Sequence, residues 1–212
     1  GKVLRRKELE ELYNHCREKG IYIISDEAYE DLTYDTEHFS VGSLEPSPEL
    51  VVSIFSLSKS YSMTGWRAGY VVAGATVISL LNRFLEHTVT CFPPFIEKAS
   101  AFALNNCDKN ILEFKKAYME RKDIMLEKIR EIPSLEINPI EGAFYAFPKY
   151  KTSKPIGSIE FAKTLLQKEG VAVLPGVAFG AGGEGRIRLS FSGALDDIEE
   201  GMKRIKNFFA AD

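Results

Sequence analysis

The chain has 212 residues, 45% hydrophobic and 11% aromatic, enough to bury one large core or two small ones. Its 27 basic residues nearly balance 30 acidic ones and no block of like charge occurs, so the basic footprint of a nucleic-acid binder is missing and the expected partner is a small molecule. Cys16, Cys91 and Cys107 are odd in number and far apart, which argues against a disulfide framework and for a reducing, cytoplasmic setting. No apolar run reaches the ~18 residues a membrane span needs.

The segment "RRKELEELYNHCREKG" places Leu9, Leu12 and Cys16 on one helical face, with Gly20 as its stop. "IYIIS" follows, a short apolar run read as a buried strand that ends abruptly in the acidic "DEAYED". After the "GSLEPSPEL" loop, "VVSIF" reads as a second buried strand and "AGYVVAG" as a third, in the helix-then-strand order of an α/β domain. From about Thr76 the pattern turns helical: "VISLLNRFLEHTV", then "FIEKASAFALNN" after Pro93-Pro94, then a long helix from Asp108 to Ile132 that Pro133 ends. Apolar positions on that helix are Ile111, Leu112, Phe114, Met119, Met125, Leu126 and Ile129. Beyond it lie strands at "LEIN", "GAFYAF", "VAVLP" and "RIRLSF", a helix at "SIEFAKTLLQKEG" and a terminal helix at "LDDIEEGMKRIKNFF". The expected division is 1–107, an α/β unit, and 108–212, a small α+β domain that includes the long connecting helix.

Open α/β sheets bind ligands at the carboxyl ends of their strands. Asp26 and Tyr29 follow the first strand, where they could equally cap a turn. The loop "SLSKSYSMTGWRAGY" follows the second strand and could open onto the same sheet edge. A lone Lys59 reads as a surface lysine, but its neighbours are unusual. Ser56, Ser58, Ser60, Ser62 and Thr64 supply hydroxyls, Gly65 allows close backbone approach, and Arg67 offers a planar fork suited to a phosphate. An amine beside an anion site, within reach of a carboxylate, points to pyridoxal phosphate (PLP), which needs a lysine for its Schiff base and an acid for its ring nitrogen. His15, His38 and His87 share no metal-ligand spacing with each other or with the cysteines, so no metal site is expected. The glycine-rich "GAGGEG" at 180 to 185 reads as a mobile loop rather than a phosphate cradle.

"SLSKSYSMTGWRAGY" resembles the S-x-S-K-x(5)-G-x-R-x-G-Y signature of the fold-type I PLP aminotransferases, in particular the aspartate and aromatic aminotransferase group. "SDEAYEDLTYD" is similar to the D-E-x-Y segment of that family, and "VAVLPGVAFGAGGEGRIRLSFSGALDDIEEGMKRI" to its carboxyl-terminal segment. The resemblance implies part of the PLP-transferase large domain, a mainly parallel sheet with helices, followed by a small carboxyl-terminal α+β domain. It also implies that Lys59 forms the Schiff base, Asp26 pairs with the pyridine nitrogen and Tyr29 donates to the ring 3-oxygen. Ser56 and Arg67 would hold the phosphate, with Ser58 as a helper, and Arg188 of "RLSF" would bind the α-carboxylate of the substrate. Arg186, two positions earlier, is expected to point elsewhere as a solvated surface arginine; the family often has an aromatic there.

In the family the stretch "GKVLRRKELEEL" commonly follows an N-P-x-N-P-T-G motif, so the chain is expected to be the carboxyl-terminal portion of a longer protein. On that expectation the isolated chain has an incomplete site and raw sheet edges that favour aggregation, and the intact protein is a homodimer. The implied reaction moves the amino group of an L-amino acid, with aspartate among the candidates, to a 2-oxo acid. Two alternatives stay open: a carbon–sulfur β-lyase on the same fold, and a PLP-sensing aminotransferase-like domain of a transcription regulator.

Overall fold

In the computed structural model, which describes residues 1–44, 46 and 49–211, the chain divides into two units: Val3–Lys115, and Lys116–Asp212 together with Gly1–Lys2. The division falls inside the long helix. Glu45, Ser47 and Pro48 of the "GSLEPSPEL" loop lie outside the described residues.

The first unit opens with helix α1 (Arg6–Lys19), which has Glu8 in its first turn and Arg17 and Lys19 in its last, favourable charges for the helix dipole. Gly20 stops it as expected: its φ of 64° is left-handed, which lets Ile21 N–H reach back to the Cys16 carbonyl at 2.9 Å. The buried face is Leu9, Tyr13 and Cys16; Leu12, expected on that face, is 44% exposed. Tyr13 takes its place because its ring packs with Leu9, Val41 and Val51.

Strand β1 (Ile23–Asp26) runs parallel to β2 (Val51–Ser56), with Asp26 opposite Ile54. Strand β3 (Gly69–Val72) runs antiparallel to β2, so the described part of this sheet is mixed rather than mainly parallel. The connection from β2 to β3, residues 57–68, carries two short helical turns and reverses the chain. Strand β1 is also not buried on both faces: Ile24 is 72% exposed, while Glu27 just beyond the strand is buried.

Of the two turns between β2 and β3, the first, α2 (Leu57–Ser60), carries Lys59. Leu57 and Ala68, at the two ends of this loop, are buried against Ala103 of helix α4 (Pro94–Asn106). Helix α3 (Ala75–Thr88) has no buried residue, and Leu80, Phe84 and Leu85 are exposed. Helix α5 (Asp108–Arg130) follows; Ile111, Met125 and Ile129 are buried, but Leu112 is exposed.

The second unit packs helices α6 (Ser158–Glu169) and α7 (Leu195–Ala210) with short strands. Strand β4 (Leu135–Glu136) pairs antiparallel with β6 (Lys149–Tyr150). A second sheet has the order β5 (Tyr145–Ala146), β8 (Ile187–Ser190), β7 (Leu174–Pro175), also antiparallel. The core is aromatic: Phe161 of α6 is fully buried, stacks on Tyr150 with ring centroids 4.1 Å apart, and meets Phe208 of α7 edge-on at 5.3 Å. Among the described residues all three cysteines are free, and no helix is long and apolar enough to cross a membrane.

Phe161→Ala removes the ring around which α6, α7 and β6 pack. The expected loss is about 3–5 kcal/mol, read as a fall in the denaturant midpoint for the aromatic near-ultraviolet circular dichroism signal.

Candidate functional site

Five of the six residues expected to act fall in the first unit. Asp26 is the last residue of β1 and is exposed; its Oδ1 accepts from the Ala28 backbone N–H at 3.3 Å, which turns the chain so that Tyr29 follows on the same rim. Ser56 ends the neighbouring parallel strand and caps α2, its Oγ accepting from Ser58 N–H at 3.2 Å. One turn on, Lys59 Nζ stands 5.8 Å from the centroid of the Tyr29 ring. The carboxyl ends of two parallel strands thus bring together an amine and a phenol ring, with a carboxylate and a hydroxyl at the strand tips.

Arg67 is exposed and closes the loop in the left-handed region, φ 54°, with its Nη1 donating to the Thr64 carbonyl at 3.1 Å. Thr64 Oγ1 in turn donates to the Ser58 carbonyl at 2.9 Å, so residues 58, 64 and 67 are linked by side-chain bonds. Ser62 is also left-handed, φ 53°. Two such non-glycine residues in one short loop are strain of the kind that collects at functional sites. Within the protein, the close backbone approach in this loop is at Gly69 rather than at Gly65. A Cβ on Gly65 would meet nothing within 4 Å, whereas one on Gly69 would lie 2.6 Å from the Phe55 carbonyl oxygen.

Sequence spacing gave no sign of the group behind Asp26. Glu27, only 4% exposed, accepts from Ser40 Oγ on Oε1 and lies 2.8 Å from His38 Nε2 on Oε2. Its backbone N–H donates to Ile54 O at 2.8 Å, tying the end of β1 to β2. Burial pushes the Glu27 carboxyl up, but the hydrogen bonds from His38, Ser40 and neighbouring serines more than offset it, and the net shift is down. The hydrogen bond to Glu27 raises His38, against its desolvation. Glu30, half-buried beside Asp31 and Glu27, is pushed up to about 7, burial being the largest cause. Glu27, Glu30 and His38 each bring one donor atom within 4.8 Å of the others, a grouping of possible metal ligands that the spacing of the histidines did not announce. An acidic cavity of about 610 Å³ opens beside them, walled by Glu30, Asp31, Asp35, Glu37 and Lys115; Asp26, Lys59 and Arg67 do not line it.

Arg188 belongs to the second unit. It sits on β8 between the buried Ile187 and Leu189, with its Cζ 4.3 Å from the Tyr145 ring centroid and 4.7 Å from that of Phe179. Arg186 is half-buried and not a solvated arginine: Nη1 donates to the Phe147 carbonyl at 3.2 Å, with Cζ 5.8 Å from the Phe147 ring. Residues two apart on a strand share a face, so the two arginines meet one aromatic group rather than opposite sides. The "GAGGEG" segment is strapped down rather than loose. Gly176 and Gly183 approach so closely that a Cβ on either would lie 2.0 Å from the carbonyl oxygen of the other. Glu184 accepts from Ser158 N–H at 2.6 Å and Ser158 Oγ at 3.0 Å, supplying the first turn of α6 with the cap that Gly157 lacks. The Ser158 N–H bond is the main reason the Glu184 carboxyl lies below the ordinary range.

The model for "Aminotransferase class I and II" matches residues 1–205. The chain belongs to this aminotransferase family. Over 209 residues it is 37% identical to the aspartate aminotransferase of Pyrococcus abyssi, covering 97% of this chain and 53% of that protein. Against aromatic-amino-acid aminotransferase 2 of Thermococcus litoralis the identity is 34% over 209 residues, with the same coverage. The crystal structure of an aromatic aminotransferase from Pyrococcus horikoshii superposes with a TM-score of 0.94 at 35% identity, over 99% of this chain and 56% of that one. The aminotransferase chain therefore has the family α/β fold and spans about half the length of the curated relatives it matches. Class I and II aminotransferases use PLP.

The Glu27–His38 pair sets a pH signature. His38 is raised, so its contribution is complete below the ordinary histidine value of 6.5 and is lost as pH rises through the folded value. Glu27 is lowered, so its contribution is present above the ordinary carboxylate value of 4.5 and is lost as pH falls through the folded value. His38→Gln is expected to cost about 1 kcal/mol at pH 6, near the low end for an unpartnered buried acceptor because His38 itself touches water. It should also flatten the decline of stability above pH 6.5, checked by urea unfolding across pH 5 to 9.

Proposed function

We propose that this chain carries the cofactor-holding core of a PLP-dependent aminotransferase that moves the amino group of an L-amino acid to a 2-oxo acid. The observation that carries the reading is the placement of Lys59 Nζ over the Tyr29 ring at the strand ends that also present Asp26 and Ser56. The donor set fits the group: an amine for the aldehyde, a carboxylate for the ring nitrogen, a phenol for the ring oxygen, and hydroxyl and guanidinium groups for the phosphate.

When bound, the cofactor supplies an electron sink for charge developing at the substrate α-carbon. Asp26, as an anion, keeps a proton on the ring nitrogen. Tyr29 donates to the ring oxygen, and Ser56 and Arg67, with Ser58 beside them, hold the phosphate. Lys59 would hold the aldehyde carbon and, once free, would be the base that takes the substrate α-proton. Arg188 would make a bidentate pair with the α-carboxylate of the substrate. Aspartate and aromatic amino acids are the donors that the names of the relatives favour. The intact protein is read as a cytoplasmic homodimer, in keeping with the scattered free cysteines.

Loading the protein with PLP and adding L-aspartate, L-glutamate, an aromatic amino acid or L-alanine without an acceptor tests this. One equivalent of the matching 2-oxo acid per bound cofactor is expected; continuous release of pyruvate and ammonia would instead indicate elimination. Lys59→Ala should abolish covalent retention of the cofactor. Asp26→Ala should lower kcat while leaving the thermal midpoint near that of the parent, since the side chain is exposed. Arg188→Ala should raise KM by about 10- to 100-fold, the loss of one charge-assisted pair.

A further inference from the structure

Arg188 differs from the other arginines of the two candidate sites in what holds it. Arg67 and Arg186 each spend a guanidinium N–H on a backbone carbonyl, Thr64 and Phe147 respectively. No hydrogen bond or ion pair engages the Arg188 guanidinium among the described residues; its Cζ lies close to two rings, Tyr145 at 4.3 Å and Phe179 at 4.7 Å. Each ring attracts the cation through its quadrupole. The in-plane N–H donors remain open at the edge.

The rings are themselves fixed. Tyr145 is on β5, opposite Ser190 of β8, so the strand pairing sets its position relative to Arg188. Phe179 is 49% exposed, and its ring meets Phe147 edge-on at 5.7 Å. Its backbone belongs to the 3₁₀ turn Gly176–Phe179, held by the Gly176–Gly183 contact and by the Glu184 bonds to Ser158. A large, half-wet aromatic side chain on a rigid turn is explained by what it covers.

We infer that Tyr145 and Phe179 form an aromatic clamp that positions the Arg188 guanidinium for in-plane, bidentate recognition of a carboxylate. This rests on the reading of Arg188 as the carboxylate site. Both aromatics are positioning residues, acting through the arginine. A clamped fork loses less freedom on binding than a solvated arginine, so the benefit appears in binding rather than in the proton transfer at Lys59.

The test uses the intact protein and two readouts. The first is rotation about the Arg188 Nε–Cζ bond, measured by ¹⁵N exchange NMR and compared with the exposed Arg83. Slow rotation in the parent, several-fold faster in Phe179→Leu and Tyr145→Leu and restored in Phe179→Tyr, is the expected result. Unchanged rotation in both leucine variants overturns the clamp. The second readout is calorimetric titration with pyruvate, a simple 2-oxo acid, expected to weaken by about 3- to 10-fold in Phe179→Leu. Arg188→Lys separates the two ideas. If it binds pyruvate like the parent, the carboxylate reading fails while the rotation data still judge the clamp. If it loses binding and Phe179→Leu does not, the clamp is overturned and the carboxylate site stands.

Discussion

The burial of Leu57 and Ala68 against Ala103 is the constraint on which the first unit's site depends. These small apolar contacts anchor both ends of a loop otherwise made of hydroxyls and cations. Leu57 N–H donates to the Ala68 carbonyl at 3.2 Å and Met63 N–H to the Leu57 carbonyl at 3.2 Å, so the loop closes on its own backbone around a buried leucine. Burying that side chain is worth roughly 1.5–3 kcal/mol. Set against it are the left-handed Ser62 and Arg67, each costing on the order of 1 kcal/mol. With Leu57 turned inward, Ser56 and Lys59 are left partly exposed at the strand ends and Arg67 exposed.

Asp26 and Glu27 divide the work at the end of β1 between the two faces of the chain. Asp26 stays in water, where its charge is inexpensive and available. Glu27 points inward, where a carboxylate is tolerated only because His38 and Ser40 meet both of its oxygens. In the second unit the same alternation puts Ile187 and Leu189 in the core and Arg188 on the other face, beside aromatic rings. Sheet periodicity thus sets which side chains are fixed and which are presented.

What could be read in the sequence was whatever local pattern or a dense motif carries. Gly20, Pro133 and the helical spacing marked elements, and the run from Ser56 to Tyr70 carried the lysine and arginine together. Long-range pairing was not legible. Nothing local distinguishes Leu12 from Tyr13 until Val41 and Val51 are known to lie against the helix, and nothing near His38 announces Glu27. The direction of β3 is not legible because an apolar run is the same read either way. Arg186 was misjudged because its aromatic and carbonyl partners come from around Phe147, far along the chain. "GAGGEG" looked loose because glycine is permissive, whereas here it is required by close backbone contact.

The parallel pairing of β1 with β2 bears on the order in which the first unit assembles. Helix α1 and the turn at Gly20 form from neighbours in sequence, but Asp26 meets Ser56 and Lys59 only after the whole intervening segment has closed, an entropic cost incurred before any of its contacts is gained. Asp26, Ser56 and Lys59 are therefore among the last groups of this unit to find their places. A molecule that recognises all of them at once binds only the finished fold and, by mass action, draws the folding equilibrium toward it.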